Sequence, residues 1–237
     1  MISNSPIGKE SDTYPVDLRY TIFPMKYYSA LPLLLCLFIH PLFAHAKEVK
    51  VTLDTSEIPH LEEWGEKAKQ LIIEWHPRLC NLVPSEGYVA PVEISLKIKK
   101  TDKGVGSTSG TKITISSHWI EKKPKDLGLV IHELVHVIQG YPSGNPWWIT
   151  EGVADYLRWG IYEAKPQSWF PRPKDKFGYK KGYQITGGFF LWLETTKSPG
   201  IVKKLNTAMR EKQYSNEIFK EETGMSVEEL WKKYVTK

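Results

Sequence analysis

Leu127-Gly128-Leu129-Val130-Ile131-His132-Glu133-Leu134-Val135-His136-Val137-Ile138-Gln139 is an apolar stretch in which only His132, Glu133 and His136 carry a charge or an imidazole. The periodicity and the apolar content read as a buried helix. A spacing of four residues puts the two imidazoles one turn apart on the same helix face, where both can reach a single tetrahedral zinc ion. Glu133 stands beside them and can serve as a general base toward a water at that metal. The competing reading is a pair of core histidines satisfied by ordinary partners. It is disfavoured because burying two imidazoles and a carboxylate without metal or partners costs several kcal/mol in desolvation, whereas metal ligation employs all three groups.

A catalytic site of this type needs a third protein ligand, with the fourth position left for water. The next helical segment reads Pro146-Trp147-Trp148-Ile149-Thr150-Glu151-Gly152-Val153-Ala154-Asp155-Tyr156, and Glu151 is the natural candidate. The loop Tyr141-Pro142-Ser143-Gly144-Asn145 can return the chain toward the first helix, and Asn145 or Thr150 can help to start the second. Asp155 lies one turn beyond Glu151 on the same side, where it can accept the free ring N–H of a ligating histidine. Without the neighbouring histidine helix, Glu151 and Asp155 would read as a solvated acidic stripe.

On the N-terminal side the period changes. Residues 49–53 alternate and are β-prone, residues 59–79 place Leu61, Trp64, Ala68, Leu71, Ile72 and Trp75 at helical spacing, and residues 92–98 alternate as a half-buried strand. Gly104 to Gly110 supplies a turn, and residues 111–116 resume as a strand with Ile113 and Ile115 on one face. On the C-terminal side, helices are expected over residues 126–139, 146–159, 183–195, 200–210, 214–221 and 227–235. Strands followed by helices predict an α+β fold: a small, mainly antiparallel sheet, then a mostly helical C-terminal half.

Residues 47–237 are expected to form a single domain, since no Pro/Gly/Ser-rich linker divides them. Residues 25–46 read as a signal peptide: Met25-Lys26, an apolar run from Ala30 to Phe43 broken by Pro32 and Pro41, and small residues before a cleavage after Ala46. Residues 1–24 fit neither the signal nor the domain and read as a start assigned too far upstream. The expected destination is the exterior or the periplasm, with no stable membrane anchor once the signal is cut. The mature chain would keep one cysteine, Cys80, so an intramolecular disulfide is excluded and the core must provide the stability. The composition, 41% apolar and 25% charged, is that of a globular protein rather than a disordered one. The formal charge of +5 is carried by lysines that alternate with acids, which reads as a solvated face and not as a nucleic-acid site.

The helix with its His-Glu-x-x-His pattern, followed by Glu151-x-x-x-Asp155, resembles the gluzincin metallopeptidases. The longer strings are more specific: residues 126–136, then Trp148-Ile149-Thr150-Glu151-Gly152-Val153-Ala154-Asp155-Tyr156-Leu157-Arg158, then Gly182-Tyr183-Gln184-Ile185-Thr186-Gly187-Gly188-Phe189. Together they are similar to the basic secretory protein family of plants and bacteria, over roughly residue 92 to the C-terminus. The resemblance implies a peptidase with one zinc ion held by His132, His136 and Glu151, with Asp155 behind a histidine and with the strand over residues 111–116 as an edge strand above the zinc-binding helix. Gly187 departs from the alanine expected there, a change in packing and not in chemistry. No Gly-x-Met-x-Asn exopeptidase signature is present, so the resemblance gives no support to an aminopeptidase, and an endopeptidase is expected.

In such a reaction Glu133 takes a proton and passes it to the leaving amine, and the oxyanion needs a further donor. Tyr183 is the candidate, with Tyr179 and Tyr156 as alternatives; an aromatic that merely packs its helix explains Tyr183 equally well. A peptide or protein substrate could pair with the edge of the strand bearing Ile113 and Ile115, with Trp147 and Trp148 lining the cleft. His118-Trp119 suits a cleft wall or a plain surface turn. Two other functions fit the same residues: a catalytically silent zinc-binding defence or cell-wall protein of this fold, and a metal-dependent hydrolase acting on something other than peptides. An intact Glu133 argues against the first, because a ligand shell alone does not need it.

Overall fold

The computed structural model describes residues 48–236, so the expectations for residues 1–24 and 25–46 lie outside the described residues. The alternating segments become strands β1, Lys50–Asp54, and β2, Glu93–Lys99, with Ile94, Leu96 and Ile98 of β2 turned into the core. Helix α1, Glu62–Leu82, connects them and buries Trp64, Ala68, Ile72 and Leu79. A tight hairpin then joins β3, Gly106–Ser109, to β4, Lys112–Ser116, and the sheet order is β1-β2-β4-β3.

This is an α+β fold, but the expected strand pairing is corrected. β1 with β2 and β2 with β4 are parallel, and only β3 with β4 is antiparallel. The reason lies in the connections: α1 carries the chain back to the end of the sheet from which β1 started, so β2 must run alongside it in the same direction. The edge is corrected too. The segment read as a turn contains β3, which takes the edge, while β4 is paired on both sides and its Ile113 and Ile115 are fully buried.

Short helix α2, Ser117–Lys122, follows β4 directly, and α3, Gly128–Gln139, packs beside α1 against the sheet. Every residue of α3 except His136 is buried, as expected for a helix that is apolar all round. The remaining helices are α4, Trp147–Asp155; α5, Tyr183–Thr196; α6, Ile201–Arg210; α7, Glu217–Thr223; and α8, Val227–Val235. They agree with the expected helical C-terminal half. Past Asp155 the helix continues in wider turns over Tyr156–Tyr162. Here α5 comes very close: a Cβ on Gly187 would lie 2.9 Å from the Tyr156 nitrogen and 3.0 Å from the Asp155 carbonyl carbon. Glycine at 187 therefore sets how near α5 lies to the backbone that carries Asp155.

Arg210 of α6 fixes the far end of α3. Its guanidinium donates to the carbonyls of Ile138 (2.9 Å), Gln139 (3.0 Å) and Val83 (3.0 Å) and to Ser85 Oγ (2.7 Å). A cation on the last carbonyls of a helix satisfies groups that have no partner within the helix and complements the negative end of its dipole. Arg210→Ala is expected to lower the unfolding free energy by about 2–3 kcal/mol, read as a drop in the urea midpoint. Arg210→Lys should recover only part of it, because an ammonium cannot span the same fork of acceptors.

Candidate metal centre

α3 and α4 bring His132, His136 and Glu151 together, with one ligand atom from each within 4.8 Å of the others. His132 Nε2 lies 3.0 Å from His136 Nε2 and 3.2 Å from Glu151 Oε2, and His136 Nε2 lies 3.6 Å from the same oxygen. Four ligands at zinc distances stand about 3.3 Å apart at the corners of a tetrahedron, so the spacing suits that metal.

The tautomers make the case stronger. His132 Nδ1–H donates to Asp155 Oδ1 at 2.7 Å, and His136 Nδ1–H donates to Gln139 Oε1 at 2.8 Å. The Gln139 amide is itself oriented, since its Nε2 donates to the Thr150 carbonyl at 2.9 Å. With both Nδ1 atoms committed as donors, the neutral rings turn bare Nε2 lone pairs toward a carboxylate oxygen. Three acceptors that converge with no proton among them call for a cation. Without metal, a proton answers that demand: burial pulls the His132 pKa down, but hydrogen bonds to Asp155 and Glu151 and the charges of Asp155 and Glu133 outweigh it and raise the value to about 9. Burial pushes the Glu151 carboxyl up, yet the hydrogen bonds to the two histidines hold it at about 2.

Glu133 is buried next to the cluster and is held from the edge strand. Thr108 Oγ1 donates to Glu133 Oε2 at 2.7 Å and lies 3.0 Å from the Glu133 carbonyl. β3 can come this near because residue 106 is glycine, where a Cβ would sit 2.7 Å from Glu133 Oε1. The site opens into a cleft of about 1840 Å³ whose lining includes Thr108, Glu133, Glu151 and Tyr183.

Tyr183 opens α5, half-exposed, with its ring stacked 6.1 Å from that of His132 and edge-on to Trp147 at 5.4 Å. Its φ of +46° is rare for a bulky side chain, and strain of this kind collects at functional sites. Burial and the carboxylates of Glu151, Asp155 and Glu133 raise its pKa, so the phenol keeps its proton. The alternatives lie differently: Tyr179 is fully buried and donates to Glu228 at 2.6 Å, and Tyr156 does not line the cleft.

Two substrate-contact expectations are corrected. Trp148 is 7% exposed and packs among Tyr179, Phe190, Tyr214 and Phe219. Neighbouring helix residues point roughly 100° apart, so Trp147 faces outward, edge-on to Tyr183 but outside the lining of the cleft. Ile113 and Ile115 are core residues, and the free edge belongs to β3. His118-Trp119 lies on α2, where Trp119 lines the cleft and His118 is exposed. Gln139, Thr108 and Gly106 went unnoticed in the sequence. Gln139 had a signal, three residues after His136 on the same helix face; Thr108 and Gly106 had none.

A family model described as a peptidase of plants and bacteria matches residues 80–234, a span that includes the whole His132 to Tyr183 constellation. It is the family that the sequence resembles. Comparison with curated proteins and with solved structures gave no match.

Glu151→Ala is expected to keep the far-UV circular dichroism of the wild type while bound zinc falls to background. Asp155→Asn keeps an acceptor for His132 but loses the charge, and should weaken zinc roughly 10-fold. Full zinc stoichiometry in Glu151→Ala would remove residue 151 from the ligand set. A pH effect follows for the metal-free protein. A His132 pKa raised by folding contributes stability that is complete below its unfolded value of about 6.5 and is lost as the pH rises toward about 9. The urea midpoint should fall across that window, and the fall should vanish in His132→Asn.

Proposed function

The chain belongs to the family of peptidases of plants and bacteria, and on that premise we propose that it is an exported zinc metallopeptidase that cleaves peptide bonds within chains. The observation that carries this reading is the convergence of His132, His136 and Glu151 beside a buried carboxylate, Glu133, that is not one of the three converging groups. When bound, zinc supplies Lewis-acid polarisation of the scissile carbonyl and acidifies a water.

The chain's own groups supply the rest. Glu133 accepts the proton of the attacking water and later delivers it to the leaving amine. Thr108 holds Oε2 by a hydrogen bond and so leaves Oε1 for the water. Tyr183 donates its hydroxyl to the oxyanion as it forms, from a backbone conformation set before substrate arrives. The outer edge of β3, which pairs with no strand among the described residues, offers its main-chain groups to an extended peptide, which would be held whatever its side chains. A cleft of about 1840 Å³ extending to both sides of the cluster suits a segment within a chain better than a terminus. Export is supported by the signal-like residues 25–46, and among the described residues no helix is long and apolar enough to cross a membrane.

The test is to measure bound zinc and peptide-library cleavage for the wild type and for Glu133→Gln. The variant is expected to retain zinc and to lose about 10³-fold in kcat/KM. A zinc-loaded wild type that cleaves no peptide in any library would overturn the peptidase reading and favour the silent zinc-binding alternative.

A further inference from the structure

Beyond the metal cluster the cleft continues along the N-terminal half of α3, and this arm differs in chemistry from the rest. Its rim carries Lys122, Lys123 and Lys125, all exposed, and its wall carries Arg158. Against these four cations the arm holds two carboxylates, Asp126 and Glu163, both engaged. Asp126 Oδ1 accepts from Arg158 Nη2 at 2.5 Å and from the Leu129 N–H at 3.3 Å, and its Oδ2 accepts from Trp119 Nε1 at 3.0 Å. Glu163 accepts from Arg158 Nε at 3.4 Å and faces Lys165 at 3.4 Å.

Arg158 is the built part of the arm. Its side chain is 9% exposed, its guanidinium lies 3.9 Å from the Trp159 ring centroid, and two of its nitrogens are pinned by Asp126 and Glu163. The third, Nη1, bonds to no group among the described residues. A guanidinium fixed on two sides with one donor edge unspent is oriented in advance for a carboxylate, because the side-chain entropy of ordering it is already lost. The lysine rim is also ordered. Trp64 Nε1 donates to the Pro124 carbonyl at 3.0 Å, and the Lys123 and Asp126 N–H groups bond back to Trp119 and Lys123.

We propose that this arm is a carboxylate-binding subsite, so that the enzyme selects peptides presenting an acidic side chain, or their own terminal carboxylate, about two residues from the cleaved bond. The spacing comes from geometry: Arg158 lies against Gly128 at the start of α3, where a Cβ would sit 3.1 Å from its Nε; Gly128 and His132 are four positions apart on the helix, about 6 Å of axis, and an extended peptide advances about 3.3 Å per residue. The inference rests on the peptidase reading, and the experiment separates the two.

Matched peptides carrying Glu, Gln or Lys at successive positions on either side of the cleaved bond, each with a free or amidated C-terminus, are offered to the zinc-loaded full chain. One position should favour Glu over Gln about 10-fold in kcat/KM and disfavour Lys, and the preference should shrink as ionic strength rises. It should collapse in K122E/K123E/K125E, whose substitutions are all on the surface. Binding of the same peptides to Glu133→Gln, read by calorimetry, should show the same order without turnover. A preference that follows the free C-terminus and ignores internal Glu also supports the subsite, and identifies the carboxylate as the chain end. Cleavage with no acidic preference at any position overturns the subsite and leaves the peptidase standing. Selective binding of acidic peptides with no cleavage does the reverse.

Discussion

Two imidazole rings are held from behind by acceptors, and the rest of the site depends on that constraint. Asp155 and Gln139 take the Nδ1 protons of His132 and His136, so both Nε2 lone pairs turn toward Glu151. In a buried setting three converging acceptors are unstable by themselves, and a cation resolves the repulsion. Most of the surrounding architecture keeps the carriers of these groups, α3 and α4, in a fixed relation. Arg210 grips the C-terminal carbonyls of α3, and Arg158, just past α4, grips Asp126 at its N-terminal end.

Close approach is the second theme, and it depends on absent side chains. Gly106 lets the edge strand reach the Glu133 carboxylate, and Gly187 lets α5 rest against the backbone of Asp155 and Tyr156. In both places the contact is to an element that bears a site residue, so a methyl group would displace a site residue as well as disturb the packing. The same economy explains how one cleft holds two kinds of surface. Around the metal cluster the lining is acidic and polar, while the α2–α3 connection and the wide turns Tyr156–Tyr162 give the far arm lysines, an arginine and tryptophan rings.

Much of this was legible in the chain itself. His132, Glu133, His136, Glu151 and Asp155 could be read because a helix repeats every 3.6 residues, so spacings of four place polar atoms together regardless of what surrounds them. The helical C-terminal half and the half-buried β2 followed from the same kind of pattern. The strand pairing was misread because local alternation carries no information about direction; that depends on where α1 returns the chain. Trp148, Ile113 and Ile115 were misplaced because the sequence shows that a side chain is apolar but not whether it meets the core or the cleft.

The sequence by itself picked out the helix that carries His132, Glu133 and His136, the carboxylates Glu151 and Asp155 on the next helix, and the peptidase family, since each is encoded within a few helical turns. Only the tertiary structure decided which strand forms the edge and that Thr108 holds Glu133. It also decided that Gln139 orients His136 through Thr150, and that Arg158 faces the cleft with one donor free. The physical reason is range. Helical periodicity fixes neighbours three or four residues apart, whereas Thr108 and Glu133, or Asp126 and Arg158, meet only after the sheet and the helices have packed around a common core.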